Sequence, residues 1–157
     1  MKNLTYLFVC LCTAVTTANA EPALVGDFDA CIRSQVAANQ PVAACIVDAH
    51  AGCDQFPGDE PAALACYIRA KDEWGARIKA VTGSFSDRPA EFQQIVVIEA
   101  KYAIARNFMN CDHQLELSLV GRDPEPLDKF ARARCEANAS AVSLVELMLR
   151  SGSLEQK

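Results

Sequence analysis

The chain has little basic charge, little histidine and no long apolar run after its first twenty residues. Lys and Arg number 15 against 20 Asp and Glu, and the resulting net charge of −5 disfavours nucleic acid as a partner. Only two His are present, and no stretch has the spacing of a glycine-rich phosphate loop or a nucleophile elbow. The hydrophobic content of 51% excludes a disordered chain.

The first twenty residues have the pattern of a secretory signal peptide. Lys2 precedes an apolar stretch from Leu4 to Val15, and Ala18-Asn19-Ala20 forms a small-x-small cleavage site. An apolar run this short cannot cross a hydrocarbon core, which needs about 20 residues. We therefore expect a signal peptide over residues 1–20, no membrane span, and a single helical domain over residues 21–157 that is periplasmic or secreted.

Six cysteines remain after the signal peptide, and an even number in an exported chain predicts disulfides; they are Cys31, Cys45, Cys53, Cys66, Cys111 and Cys135. Prolines and glycines mark four turns, which lie at Asn39–Pro41, Phe56–Pro61, Thr82–Pro89 and Gly121–Pro126. Between the turns, apolar residues recur every three or four positions. The sequence predicts an all-α fold of about five helices, built as antiparallel hairpins or a bundle stapled by disulfides.

The turns favour one pairing, which the cysteine count alone leaves open. Residues equidistant from the turn of an antiparallel helical hairpin lie opposite each other, and a disulfide needs Cα atoms about 4.4 to 6.8 Å apart. A bridge from Cys45 to Cys53 would instead span about 12 Å along one helix. The midpoint of Cys31 and Cys45 lies beside the first turn, and the midpoints of the next two adjacent pairs lie inside their turns. The preferred pairs are therefore Cys31/Cys45, Cys53/Cys66 and Cys111/Cys135.

The segment from Pro89 to Leu119 carries two apolar stripes at helical spacing. One contains Ile95, Ile98, Tyr102, Ala105 and Met109, and the other contains Phe108, Cys111, Leu115 and Leu119. This pattern predicts a long helix that is contacted on two sides. We expect Tyr102 and the single Trp74 to lie in the structural core.

No set of residues predicts catalysis or a cofactor. His50 lies between Cys45 and Cys53, but this spacing matches no common zinc motif, and oxidising export removes the thiolates that zinc needs. Cys111 and His113 are two residues apart, so on a helix they point to different sides. We expect no metal, no cofactor and no catalytic residue.

Cys66 precedes Trp74 by eight residues, Cys111 comes late in the long helix, and Cys135 follows a loop. This arrangement resembles the LprI-like lysozyme-inhibitor family of small exported bacterial helical domains. The resemblance covers roughly Cys45 to Leu149. It implies an exported protein-binding domain that inhibits lysozyme by occluding its active-site cleft.

Arg122, near the tip of the Gly121–Pro126 loop, is the candidate binding residue. A guanidinium binds carboxylates in a two-pronged way, and a lysozyme cleft contains acidic catalytic residues. An acidic domain also attracts basic proteins over long range. Two other hypotheses remain open: a cell-envelope structural or adaptor protein with a large exposed apolar patch, and an exported enzyme with a cleft of convergent polar groups.

Overall fold

The computed structural model describes Leu24, residues 26–58 and residues 61–152, so the expected signal peptide lies outside the described residues. The described chain is all-α, as the sequence predicts, and no strand occurs in it. Its helices are α1 Phe28–Ala37, α2 Ala43–Ala49, α3 Ala51–Asp54, α4 Pro61–Gly83, α5 Ala90–Ser118 and α6 Pro126–Ser151. None of these described helices has both the length and the apolarity that crossing a bilayer requires.

The first hairpin pairs α1 with α2. Asp27 caps α1 by accepting a hydrogen bond of 3.0 Å from the backbone N–H of Ala30. Asn39 reverses the chain with a φ of 52°, a left-handed conformation that asparagine tolerates better than most residues. Cys31 and Cys45 are bonded across this bend with their Cα atoms 5.8 Å apart, which confirms the first expected pair.

The second predicted helix is divided in two. The apolar spacing over Val42–Cys53 predicts one continuous helix, but α2 ends at Ala49 and α3 is a separate short helix. The backbone of His50 leaves helical geometry, with φ −94° and ψ 1°, where its side chain accepts a hydrogen bond from Trp74. The described residues therefore form six helices where the sequence predicts about five, because a tertiary contact overrides the local pattern.

The other two disulfides join α3 to α4 and α5 to α6. Cys53 in α3 bonds to Cys66 in α4 with a Cα separation of 5.4 Å, and Cys111 in α5 bonds to Cys135 in α6 with a separation of 5.7 Å. Gly121 turns the chain between α5 and α6 with a φ of 78°, which glycine adopts without steric cost. All three pairs expected from the turn positions are confirmed.

Helix α6 is the central element. It packs along both α4 and α5, which hardly touch each other. Its packed side carries small residues at helical spacing, including the buried Ala133, Ala137 and Ala141. Small side chains let neighbouring helix axes approach closely. The helix begins with a capping box, in which the side chains of Glu125 and Asp128 bond each other's backbone N–H groups.

The larger hydrophobic core is built around Trp74, whose exposed fraction is 0%. Its indole packs on Phe28 with the ring centroids 4.5 Å apart. Ile32 and Leu144 are fully buried in the same cluster, which joins α1, α4 and α6. The expectation that Trp74 lies in the core is confirmed.

The expectation for Tyr102 is wrong. Its side chain is 68% exposed, because the stripe to which it belongs lies on the side of α5 away from α6. The stripe that contains Cys111 faces α6 and is fixed there by the disulfide to Cys135. Within the described residues, α5 is therefore contacted on one side, where its sequence pattern predicts contact on two.

Candidate interaction surface

One face of α5 presents a continuous row of exposed apolar side chains. Four of its members are large and at least half exposed: Ile95 at 58%, Ile98 at 51%, Tyr102 at 68% and Met109 at 70%. The smaller Ala105 is exposed in the same row. We call these five residues the α5 stripe. Their spacings of three and four residues place them along one line of the helix surface over about 21 Å.

The stripe faces outward because the helix has a second apolar face that is already used. Val96, Ala100, Ala103 and Cys111 are buried, and they lie on the opposite side of α5 at 3.6 residues per turn. The main packing partner of α5 is α6, and the stripe has no helix against it in the described part of the chain. A helix that is apolar on two faces is typical of a buried helix, yet here one of the faces is at the surface.

Two ion pairs border the stripe on the side nearest α6. Arg150 of α6 pairs with Glu99, and Nη2 of Arg106 lies 2.5 Å from Oε2 of Glu146 in α6. These side chains are well exposed, apart from Glu146 at 28%, and surface pairs of this kind contribute about 0 to 1 kcal/mol to stability. Their arrangement gives the stripe a charged border that alternates in sign along α5.

A shallow groove lies beside the N-terminal part of the stripe. It has a volume of about 240 Å³ between α5 and the end of α6, and its apolar walls are formed by Phe92, Ile95 and Leu147. The Glu99–Arg150 ion pair stands at its polar edge. The groove is continuous with the stripe through Ile95, so the two form one apolar surface with a polar rim.

A buried hydrogen bond joins the bend between α2 and α3 to α4. Nε1 of Trp74 donates to Nε2 of His50 over 2.8 Å, and both side chains are enclosed. Burial lowers the pKa of His50 from its ordinary value, and this outweighs the opposite effects of the Asn138 side chain and the Asp54 carboxylate. The imidazole is therefore a neutral acceptor that holds the indole in place.

A second polar contact lies beside the first. The hydroxyl of Tyr67 donates a short hydrogen bond to the carboxylate of Asp54, and the Tyr67 and His50 rings meet edge to face with centroids 5.5 Å apart. Burial, followed by this hydrogen bond, raises the pKa of Tyr67. Both aromatic groups are closed off by neighbouring side chains, so their polar atoms serve the packing of α3 against α4.

Arg122 is tied to its own loop. Its guanidinium bonds both carboxylate oxygens of Asp128 at 2.5 and 2.8 Å, and its Nε donates to the Ser118 carbonyl at 2.8 Å. The bond from Arg122, supported by the backbone N–H of Glu125, lowers the pKa of Asp128 to about 2. The side chain that the sequence offers as a binding candidate thus links the end of α5 to the first turn of α6.

The cysteines are structural. All six cysteines of the described residues form disulfides, so Cys111 has no thiolate for His113 to activate. In the part of the chain that the structure describes, no three His, Cys, Asp or Glu side chains are grouped as metal ligands. The position of each cysteine follows from the hairpin geometry, and none lies in the α5 stripe.

Comparison with known proteins assigns no role to this surface, and the LprI-like resemblance stays a prediction. No protein-family model matches the chain, and no curated protein or solved structure is significantly similar to it.

Proposed function

We propose that this chain is an exported protein-binding domain that docks its partner on the α5 stripe. The observation that carries the proposal is the exposure of four large apolar side chains, Ile95, Ile98, Tyr102 and Met109, in one row. A contiguous apolar patch with a polar rim is typical of an interaction surface. Burying it against a partner removes apolar area from water, which stabilises a complex by about 25 cal/mol per Å² before the costs of association.

The composition of the stripe favours a protein as the partner. Tyr and Met are enriched in protein interfaces, where one supplies a rigid amphipathic ring and the other an adaptable apolar chain. Tyr102 lies at the middle of the row and is its only aromatic side chain, which makes it the expected anchor. The Glu99–Arg150 and Arg106–Glu146 ion pairs provide a polar rim.

We propose a binding role in preference to an enzymatic one. An exported enzyme requires a titratable group with a shifted pKa in an accessible cleft. Among the groups with shifted pKa values, His50 and Tyr67 are 2% and 1% exposed and make their hydrogen bonds within the protein, and Asp128 is bonded to Arg122. Their chemistry supports the fold, whereas the apolar stripe is presented to solvent.

Lysozyme is the partner that the LprI-like resemblance suggests. Animal lysozymes of the target class are usually basic, and a chain with a net charge of −5 would attract them. The sequence offers Arg122 as the binding residue, but here the partner docks on α5, because Arg122 is bonded to Asp128. A cell-envelope adaptor is the second candidate, and the exposed apolar stripe favours it because such a protein needs a patch of this kind.

The experiment compares the full chain with a variant of the stripe. Tyr102→Glu places a charge at the centre of the row, whereas Val47→Glu makes the same change at a 62% exposed valine on α2. Each protein is mixed with lysozyme, and lysis of bacterial cell walls is followed. Inhibition by the unaltered chain and by Val47→Glu, with at least about tenfold weaker inhibition by Tyr102→Glu, is the result expected of a stripe-dependent inhibitor.

Undiminished lysis at a large molar excess of the unaltered chain would remove lysozyme as the partner. The adaptor is then tested in the producing cell with a photo-cross-linking amino acid in place of Tyr102, and with the same group in place of Val47. A defined cross-linked protein at Tyr102 alone supports docking on α5. Absence of any cross-linked protein at that position, together with undiminished lysis, would contradict the protein-binding function.

A further inference from the structure

The α5 stripe reads almost the same in both directions from its centre. Ile95 lies seven residues before Tyr102, and Met109 lies seven residues after it. Seven residues are close to two helical turns, so both side chains share the face of Tyr102. Between them, Ile98 precedes Tyr102 by four residues and Ala105 follows it by three. This symmetry is what a surface needs in order to pair with a copy of itself related by a two-fold axis.

We infer that a second copy of this chain covers the α5 stripe, in an antiparallel two-fold dimer centred on Tyr102. The inference rests on the proposed function, in which the stripe is a docking surface, and it names the partner. In this arrangement Tyr102 packs against Tyr102 of the second copy. Ile95 packs against Met109 of the second copy, and the same contact is made again on the other side of the axis.

The charges beside the stripe fit the same arrangement. Glu99 and Arg106 are seven residues apart on the border that faces α6. When two helices run antiparallel, a border of one helix meets the same border of the other, so Glu99 lies across from Arg106 of the second copy. Two symmetric pairs of opposite charge result. Lys101 on the other border approaches its own copy, but its long stem lets the ammonium turn toward water.

The position of the centre within α5 also favours a second copy. Helix α5 runs over Ala90–Ser118, and Tyr102 is close to its midpoint. Two such helices centred on Tyr102 overlap over about 25 residues, or about 37 Å, which is nearly their full length. A stripe centred near one end would leave much of the apolar surface uncovered in a two-fold pair.

The second copy accounts for the apolar pattern of the sequence. The spacing over α5 predicts contact on two sides, and α6 supplies one of them. The dimer supplies the other, so that both apolar faces of α5 become buried. A lysozyme or envelope protein that docks on the stripe would have to displace the second copy. Self-association and partner binding are therefore expected to compete.

The first test measures the molar mass of the full chain in solution as a function of concentration by sedimentation equilibrium. The unaltered chain and Val47→Glu are expected to pass from monomer to dimer with the same dissociation constant. Tyr102→Glu brings two like charges together at the axis and is expected to weaken dimerisation at least about tenfold. A monomer at every soluble concentration, or a dimer unaffected by Tyr102→Glu, would overturn the inference.

The second test reads the register through disulfide trapping under mild oxidation. Tyr102→Cys is expected to yield a covalent dimer, because the two altered positions meet at the axis. Met109→Cys is the matched control, since its two copies would lie about 21 Å apart, too far to bond. Mixing Ile95→Cys with Met109→Cys is expected to give the mixed dimer. Equal cross-linking of Tyr102→Cys and Met109→Cys would overturn the antiparallel register.

The two proposals fail separately. A chain that stays monomeric but inhibits lysozyme, or that cross-links to an envelope protein through position 102, refutes the dimer and leaves the docking surface in place. A dimer that is lost in Tyr102→Glu supports the inference even when lysozyme is not inhibited. Recovery of the chain's own dimer at position 102 in the cell supports both the surface and its partner.

Discussion

The indole Nε1 of Trp74 and the imidazole Nε2 of His50 form a buried hydrogen bond of 2.8 Å that ties α4 to the bend between α2 and α3. Disulfides hold both sides of this bend, through Cys45 in α2 and Cys53 in α3. The contact exists only while Nε2 of His50 carries no proton, because a protonated nitrogen cannot accept. The packing of α4 against the bend between α2 and α3 therefore depends on the indole N–H of Trp74 and on a neutral His50.

Replacing the donor is expected to destabilise the fold. Trp74→Phe removes the indole N–H and leaves the buried Nε2 of His50 without its donor. An unsatisfied buried acceptor costs about 1 to 3 kcal/mol, to which the smaller ring adds the cost of a cavity. Urea unfolding followed by circular dichroism measures the loss. Tyr102→Phe is the control, and this exposed change is expected to stay within about 0.5 kcal/mol. Equal midpoints for Trp74→Phe and the unaltered chain would contradict the role of the bond.

Acidification is expected to destabilise the protein through His50. Its pKa in the folded chain is lowered from the ordinary value of 6.5, mainly by burial. Between 6.5 and the lowered value, the unfolded chain binds more protons than the folded chain, so the free energy of unfolding falls as the pH falls. The slope that one such group contributes reaches about 1.4 kcal/mol per pH unit. Urea midpoints at a series of pH values from 7.5 downward measure it.

Two glutamine variants separate the contribution of His50 to the pH dependence of stability from the contribution of the carboxylates. His50→Gln keeps an acceptor near Trp74 but does not titrate, so its stability is expected to change less with pH over this range. His113→Gln alters the other histidine and is expected to keep the slope of the unaltered chain. The same slope in His50→Gln and His113→Gln would show that His50 is not the group responsible.

The sequence was sufficient for the architecture and the disulfides because both follow from local spacing. The midpoint of each expected pair of cysteines lies in or beside a turn, and antiparallel helices then bring the two Cα atoms within bonding range. The division of the second helix was not predictable in this way, because it depends on a contact between His50 and Trp74, which are 24 residues apart. One signal was available: His50 follows Ile46 by four residues and precedes Cys53 by three, which places it on the buried face.

The sequence predicted the apolar face of α5 that contains Tyr102, but it placed this face in the core, whereas the structure places it at the surface. The spacing identifies Tyr102 as part of an apolar face, but spacing alone does not tell whether the contact comes from the same chain or from another. The structure leaves that face exposed because α6 has its two packing sides filled by α4 and by the opposite face of α5. For Arg122, the sequence shows a cation in a loop, whereas its engagement by Asp128 depends on how α6 begins.

Loss of Arg122 is expected to release the carboxyl of Asp128. The hydrogen bond from this guanidinium is the main cause of the lowered Asp128 pKa of about 2. In Arg122→Ala the pKa of Asp128 is expected to rise toward the ordinary value of 3.8, and the remaining hydrogen bond from the backbone N–H of Glu125 keeps it from rising the whole way. Because the folded-state pKa then approaches the unfolded value, the stability that this carboxylate contributes above pH 4 decreases, and acidification removes less stability from the variant than from the unaltered chain. Carboxyl titration by nuclear magnetic resonance measures the shift.

The matched control for that titration is Arg134→Ala, which removes an arginine of α6 that lies near the ring of Phe130. It is expected to leave the Asp128 pKa where it is. If Arg122 were a free binding residue, Arg122→Ala would leave that pKa unchanged as well and would instead weaken inhibition in the lysis assay. The two interpretations of this side chain therefore predict opposite outcomes in the two measurements.

Removal of the Cys111–Cys135 disulfide is expected to loosen α5 from α6 and to weaken every property that depends on the stripe. The two cysteines are 24 residues apart in sequence, and a closed loop of this length is worth about 3.5 kcal/mol in the chain-entropy model. The variant Cys111→Ala with Cys135→Ala is therefore expected to unfold at lower urea than the unaltered chain. The comparison is the variant that lacks the Cys31–Cys45 disulfide, a bond that closes a loop of 14 residues. Its loss of unfolding free energy is expected to be smaller by about 0.5 kcal/mol. Only the Cys111–Cys135 disulfide anchors the helix that bears Tyr102. In conditions where both variants are still folded, its removal is therefore expected to reduce dimerisation or partner binding, whereas removal of the Cys31–Cys45 disulfide is not. An equal effect of the two variants on binding would show that the stripe does not depend on the attachment of α5 to α6.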